Sequence, residues 1–282
     1  MEKETAIITG ADGGMGQEIT LALAKSGFRI IMACKEPKEA LPVCERIKKD
    51  SGNEDIEVRK IDFTSLASVR AFAQEILSEG RSIHRLMNNA GLLTTRIRPT
   101  EDALEPIVSV NYVGPYLLTR LLLPLMHEGT RIVNTVSCTY AIGKIESEFF
   151  TKGRNGFFNR ILVYANTKLA LLLFTRELAA RVREKGITVN ASDPGVVSTN
   201  IIRMDAWFDP LTDIFFRPFI RTPLQGAATA IHLALSDKVE GESGQCYASC
   251  KLRKLSERIA NHPMQGKLWD DTEALLHSRG LL

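Results

Sequence analysis

Tryptophan occurs twice in 282 residues and aromatic side chains make up only 7% of the chain, so there is little material for base-stacking platforms. No basic block compensates: 36 basic and 33 acidic residues leave a net charge of +3, and a nucleic-acid partner is not expected. Long uncharged apolar runs are also missing, where a bilayer span needs about 18 to 20 such residues. The first strand pattern starts near Thr5 and leaves no room for a secretory leader. A cytoplasmic protein without membrane contact is the expectation. Cysteine is sparse and scattered. Cys34, Cys44, Cys138, Cys246 and Cys250 form an odd set without CxxC spacing, which points to free thiols in a reducing compartment and to no metal centre. Linkers, low-complexity tracts and long repeats are absent. A single domain over 1–282 is therefore expected, although length alone would allow about two domains.

What the chain does contain is a rhythm. Short β-branched or apolar runs recur at Thr5 to Thr9, Arg29 to Ala33, Ile56 to Ile61, Arg85 to Asn89, Arg131 to Val136, Ile187 to Ala191 and Gln245 to Ser249. Amphipathic stretches such as "QEITLALAKSG" and "SLASVRAFAQEILSEG" separate them, the latter opening on a Ser cap. Alternation of this kind predicts an α/β fold: a doubly wound, mostly parallel, seven-stranded sheet with helices on both faces. Ligands of such sheets bind beyond the carboxyl ends of the strands, where the strand order switches.

Three motifs stand at strand ends or on a helix that follows. "TGADGGMG", Thr9 to Gly16, follows the first strand and places Gly10, Gly14 and Gly16 where a helix begins. Glycines there admit a close backbone approach, and the helix from about Met15 offers its dipole to an anion. A glycine-rich surface turn would look the same. "NNAG", Asn88 to Gly91, follows the fourth strand, and asparagine in a turn has its own local reasons. In "YANTK", Tyr164 and Lys168 stand four apart on a helical pattern and share a face. A phenol beside an ammonium suits proton transfer, yet a packed tyrosine beside a snorkelling lysine is the plainer alternative.

Together the four signals, TGxxxGxG, NNAG, Ser137 closing strand five and Tyr164-x3-Lys168, resemble the short-chain dehydrogenase/reductase family over nearly the whole chain. "ACK", "DFTSLASVR", the long Ser137-to-Tyr164 interval and "DPGVVST" resemble its retinol-dehydrogenase-like branch. The resemblance implies a Rossmann-type fold and a nicotinamide cofactor. It assigns Gly10, Asp12, Gly14, Met15 and Gly16 to the pyrophosphate turn, Asp62 and Phe63 to the adenine, and Asn89, Ala90 and Gly91 to the adenosine wall. Pro194, Gly195, Val197 and Thr199 would meet the carboxamide end of the nicotinamide. Tyr164 becomes the acid/base, and Lys168 lowers its pKa and binds the ribose. Ser137 then holds the substrate oxygen, and Asn111 a relay water.

The implied activity is hydride transfer between NAD(P) and a carbonyl or alcohol. A strand end carrying Cys34 rather than an acid, followed by Lys35 as a cation for a 2′-phosphate, favours NADP over NAD, although Asp12 pulls the other way. Aromatics in a lid segment at about 196–224, among them Trp207, Phe208, Phe215, Phe216 and Phe219, predict a bulky apolar substrate, with a membrane-resting lid as a lesser alternative. An insertion between Ser137 and Tyr164 shapes the substrate mouth in a way the sequence does not specify. Long apolar runs in helices at about Glu101 to Met126 and Arg160 to Arg183 predict a homodimer, since relatives pair these helices across a two-fold. A catalytically silent dinucleotide sensor would not need Ser137, Tyr164 and Lys168. An epimerase of the extended relatives would carry TGxxGxxG and a larger C-terminal domain.

Overall fold

The computed structural model describes residues 3–95, 98–153, 156–195 and 221–282. The first half alternates strictly: β1 Thr5–Thr9, α1 Gly14–Lys25, β2 Arg29–Cys34, α2 Pro37–Ser51, β3 Ile56–Lys60, α3 Leu66–Glu79 and β4 Ile83–Asn88. The second half continues with α4 Pro106–Val108, α5 Gly114–Leu122, β5 Met126–Thr135, α6 Phe157–Arg181, β6 Thr188–Asp193, α7 Pro223–Leu235 and β7 Cys246–Ala248. It closes with β8 Lys251–Leu252, α8 Glu257–Ala260 and α9 Met264–His277. The strands form one sheet in the order β3-β2-β1-β4-β5-β6-β7-β8, so the chain switches direction between β1 and β4.

Seven strands run parallel as expected, and the eighth, β8, is an addition that pairs antiparallel with β7. Ser249 and Cys250 connect the two with positive φ at both positions, 51° and 58°, the tight-hairpin geometry that reverses a chain in two residues. A two-residue strand carries no alternation to read, which is why the pattern stopped at seven.

Strand periodicity divides the core in two. Ile7, Ile31 and Ala33 face one cluster with α3, α5, α6 and α9, while Ala6, Ile8, Ile30 and Met32 face another with α1, α2 and α7. Both faces are thereby covered, as a parallel sheet requires. The Ser65 cap is present, its hydroxyl accepting from the Ser68 N–H at 3.3 Å.

The helix expected from Glu101 starts later and is broken. Glu105 caps it by accepting from the Val108 N–H at 3.0 Å, Pro106 occupies the first turn, and a π turn at Ser109–Val113 separates α4 from α5. Pro124 lies in a 3₁₀ turn, Leu123–Leu125, and Met126 already opens β5. The second helix, α6, is the one helix among the described residues that is long and apolar enough to cross a membrane. Most of it is buried against the sheet, and Leu169 to Phe174 are all at most 2% exposed.

The expected pairing of α5 and α6 with a second subunit meets an occupied surface. Helix α9 lies against both: the Trp269 ring stacks on Phe174 at 5.9 Å and contacts Tyr116 at 5.1 Å. Glu273 receives Tyr116 Oη at 2.5 Å and a bidentate Arg120 at 2.8 and 3.1 Å, and Tyr112 Oη bonds Thr272 Oγ1 at 2.8 Å. Part of the apolar surface behind the homodimer expectation is thus packed within one chain by α9.

The insertion after Ser137 is anchored rather than loose where it is described. Phe149 is 7% exposed and packs its ring on Tyr112 at 5.5 Å. The Phe150 carbonyl accepts from the Glu105 N–H at 2.9 Å.

Candidate active site

At the β1/β4 switch point a cleft of about 700 Å³ opens beyond the carboxyl ends of the strands. It gathers every residue expected on the adenosine and pyrophosphate side: Gly10, Asp12, Gly14, Met15, Gly16, Lys35, Asp62, Phe63, Asn89, Ala90 and Gly91. The turn needs its glycines. Gly10 has φ +62°, and a Cβ on it would lie 3.1 Å from the Ala90 Cα; one on Gly16 would collide with the Gly10 carbonyl. Helix α1 begins with Gly13 as its cap, without a capping side chain and without an acid in its first turn. Its N-terminal N–H groups and positive dipole end therefore remain for an anionic ligand, which fits a diphosphate.

Thr9, not singled out beforehand, explains how the two loops stay together. Its hydroxyl accepts from the Asn89 and Ala90 N–H groups at 3.0 Å each, and Asn89 Nδ2 donates to the Thr9 carbonyl at 3.1 Å. At the strand-two end Lys35 forms a 3.1 Å ion pair with Asp62 and keeps 57% of its side chain exposed. Burial alone would raise the Asp62 carboxyl, but the Thr64 hydroxyl and N–H and the Lys35 ammonium outweigh it and hold the pKa below the usual range. Asp12 lies against the Cys34 thiol, which burial and this carboxylate push well up.

The catalytic candidates meet beside this cleft. A Cβ on Gly91 would lie 3.7 Å from Asn111 Oδ1 and 3.8 Å from Lys168 Nζ, so one loop borders both the nucleotide side and the reacting side. Lys168 is 2% exposed, donates from Nζ to the Thr135 carbonyl at 2.8 Å, and sits 5.4 Å from the centre of the Tyr164 ring. Ser137 lies within hydrogen-bonding reach of the Tyr164 phenol. Asn111, on the π turn, clamps the Leu92 backbone: Oδ1 accepts from its N–H at 2.7 Å and Nδ2 donates to its carbonyl at 2.9 Å. π turns of this kind recur at functional sites, a signal no local pattern in the sequence displayed.

Burial dominates the electrostatics of the Tyr164 and Lys168 pair. Desolvation raises the Tyr164 phenol to about 12, with Ser137 pulling it down only in part, so the tyrosine is neutral at physiological pH although its ring stays half-buried. Lys168, beside the ring, is shifted as well. Its own pKa falls to about 8, because burial penalises the ammonium more than Asp193 supports it. Asp193, also unforeseen, closes β6 with 1% exposure, pairs with Arg253 at 2.7 Å and accepts from the Gly195 N–H at 3.0 Å.

Pro194 and Gly195 stand just beyond the end of β6 and are not among the residues that line the described cleft; Arg221 donates to the Pro194 carbonyl at 3.1 Å. Val197, Thr199 and the five aromatics of the expected lid lie outside the described residues. Among the described residues no group of three His, Cys, Asp or Glu side chains is arranged to hold a metal, and all five cysteines are free.

Comparison with known proteins agrees with this geometry. The short chain dehydrogenase family model matches residues 4–206. Human retinol dehydrogenase 11 is 35% identical over 269 residues, covering 95% of this chain and 84% of its own length. Bovine retinol dehydrogenase 12 is also 35% identical, covering 98% and 87%. Among solved structures, an uncharacterized protein from Mycobacterium paratuberculosis superposes with a TM-score of 0.77 at 26% identity, over 96% of this chain and 92% of that one. An NAD(P)-dependent gluconate 5-dehydrogenase-type protein from Beutenbergia cavernae, solved with NADP bound at low occupancy, gives 0.68 at 25% identity over 87% and 94%.

Proposed function

The chain belongs to the short-chain dehydrogenase family, in its retinol-dehydrogenase-like branch, and from that premise we propose that it interconverts a bulky apolar alcohol and its carbonyl with NADP as the preferred cofactor. The nicotinamide, when bound, supplies or accepts the hydride. The observation that carries the reading is the convergence of Ser137, Tyr164, Lys168 and Asn111 beside a glycine-built diphosphate cradle. A silent sensor would have no use for that convergence.

The residues divide the work. Gly10, Gly14, Gly16 and the α1 N-terminus hold the diphosphate, Asp62 and Phe63 border the adenine, and Pro194, Gly195, Val197 and Thr199 serve the nicotinamide end. Ser137 donates to the substrate oxygen and orients it. Tyr164, neutral at physiological pH, gives that oxygen its proton in the reductive direction. Lys168 brings a positive charge and ammonium donors to the ribose hydroxyls, and Asn111 orders the water through which the proton on Tyr164 is replaced. Asp193 helps keep Lys168 charged. The exposed Lys35 is the cation placed to meet a 2′-phosphate, and the adenosine ribose is the part of the ligand that reads it. The five free thiols fit a reducing compartment such as the cytoplasm.

Reduced-nicotinamide absorbance followed over a panel of long-chain aldehydes, retinaldehyde, small ketones and charged aldehydes tests the proposal. Turnover is expected with the apolar members, and Tyr164→Phe is expected to keep NADPH affinity while losing about 10²- to 10⁴-fold in kcat. Preference for small charged substrates, or a Phe variant with the parental rate, contradicts it.

A further inference from the structure

Arg160 and Glu105 form an ion pair in the interior, Nη2 to Oε1 at 2.5 Å, with both side chains 1% exposed. Two ions withdrawn from water this completely contribute little or nothing to stability compared with apolar residues of the same shape. This pair is also incompletely satisfied, because Arg160 Nη1 is buried with no hydrogen-bond partner among the described residues. Stability alone therefore does not account for it.

Its neighbours show what it joins. Arg160 lies on α6 one helical turn before Tyr164 and two before Lys168, so the three share a face. Its Nε donates to the Thr94 carbonyl at 2.7 Å, on the loop after β4 whose residues Leu92 to Thr95 line the nucleotide cleft. Glu105 uses its other oxygen to cap Val108, at the start of the segment whose π turn carries Asn111. Asn111 in turn clamps Leu92 on that same loop. The ion pair thus ties together the three segments that bring Tyr164, Asn111 and the cleft wall to one place, and it touches none of the reacting groups.

We propose that the Arg160–Glu105 pair is a positioning device, which fixes the height of the catalytic helix against the cleft loop and so sets where the Tyr164 hydroxyl stands relative to bound substrate. The inference rests on the assignment of Tyr164 as the acid/base. Misplacement of such a group by about 1 Å costs on the order of 10²-fold in rate, whereas cradle residues on β1 and α1 are unaffected.

The test uses the full chain, with NADPH and all-trans-retinaldehyde as probes, and compares the parent with the apolar pair Arg160→Met/Glu105→Leu and with Arg160→Lys. For each, thermal midpoint, NADPH affinity by fluorescence titration, KM and kcat per folded molecule are measured. The apolar pair is expected to fold with a midpoint lowered only by loss of the Glu105 cap on Val108, and to keep parental NADPH affinity while kcat falls about 10- to 100-fold. Arg160→Lys keeps the charge but cannot reach Thr94 and Glu105 together, and an intermediate kcat is expected. A purely structural role would lower the midpoint and leave kcat per folded molecule intact, and that result overturns the proposal. If the double variant does not fold, Arg160→Lys decides: a reduced kcat at parental NADPH affinity supports the proposal, and a parental kcat overturns it. Tyr164→Phe runs alongside. If it is inactive while the pair variants keep full kcat, only the positioning role fails; if it is active, the acid/base assignment and this inference fall together.

Discussion

Lys168 exchanges bulk water for one carbonyl partner, Thr135 at 2.8 Å, and burial lowers its pKa from 10.5 to about 8. For a base with a lowered pKa, the charge is present below about 8 and lost above it. Because kcat/KM for cofactor reports groups of the free enzyme, kcat/KM for NADPH is predicted to fall as pH rises through about 8. A Lys168→Arg variant, whose guanidinium does not titrate there, is predicted to lose that limb whatever its absolute rate; a pH profile of both checks this. The same shift makes this lysine's contribution to stability rise between about pH 8 and 10.5, where the unfolded chain binds the extra proton. Lys35 carries a second prediction. If its exposed ammonium reads the 2′-phosphate, Lys35→Ala should lower kcat/KM for NADPH by about tenfold or more, as loss of a charged hydrogen-bonding partner does, and leave NADH unchanged. Equal effects on both cofactors would remove it from that role. The Tyr164-x3-Lys168 pair was legible because helical spacing alone puts the two on one face. The direction of the phenol's pKa was not, since burial depends on what the rest of the chain packs around it.

Elements differ in how openly the sequence declares them. The β1 turn into α1 could be read residue by residue, because Gly10 and Gly16 are glycine for steric reasons that any α1 packed this closely on β1 would impose. The α4 to α5 stretch could be read only in part: Pro106 and the Glu105 cap mark its start, but the π turn that presents Asn111 has no local signature. Helix α9 was missed as a functional element since its importance lies in what it covers. Trp269 is 5% exposed, stacked on Phe174 and flanked by Arg120 and Arg181 at 5.2 and 4.3 Å from its ring centre. Trp269→Ala is therefore predicted to cost about 3–5 kcal/mol of unfolding free energy, measured by urea denaturation. A loss under about 1 kcal/mol, the range of ordinary surface substitutions, would mean that α9 does not hold its place on α5 and α6 in solution.

On the scale of the whole molecule, a mostly parallel sheet with helices on both faces follows from strand-helix alternation plus right-handed crossovers and was legible, whereas the order of the strands is set by packing between distant segments and was not. What lies across the α5 and α6 surface was not, because two apolar helix faces look the same whether a second subunit or the chain's own terminus covers them. With α9 in place the chain is predicted to sediment at micromolar concentration without a dimer through α5 and α6. Cross-linking or an interface mapped onto those helices in the parent would contradict this. In the proposed reaction the β1/β4 crevice would hold NADPH, which would supply hydride to a carbonyl carbon while Tyr164 gives the oxygen its proton. Single-turnover reaction of stereospecifically deuterated NADPH with retinaldehyde, analysed by mass spectrometry of the alcohol product, tests it directly. Deuterium is expected on the carbinol carbon from one of the two cofactor faces only, and none with Tyr164→Phe over the same interval. Product lacking deuterium, or equal transfer by the Phe variant, would contradict it.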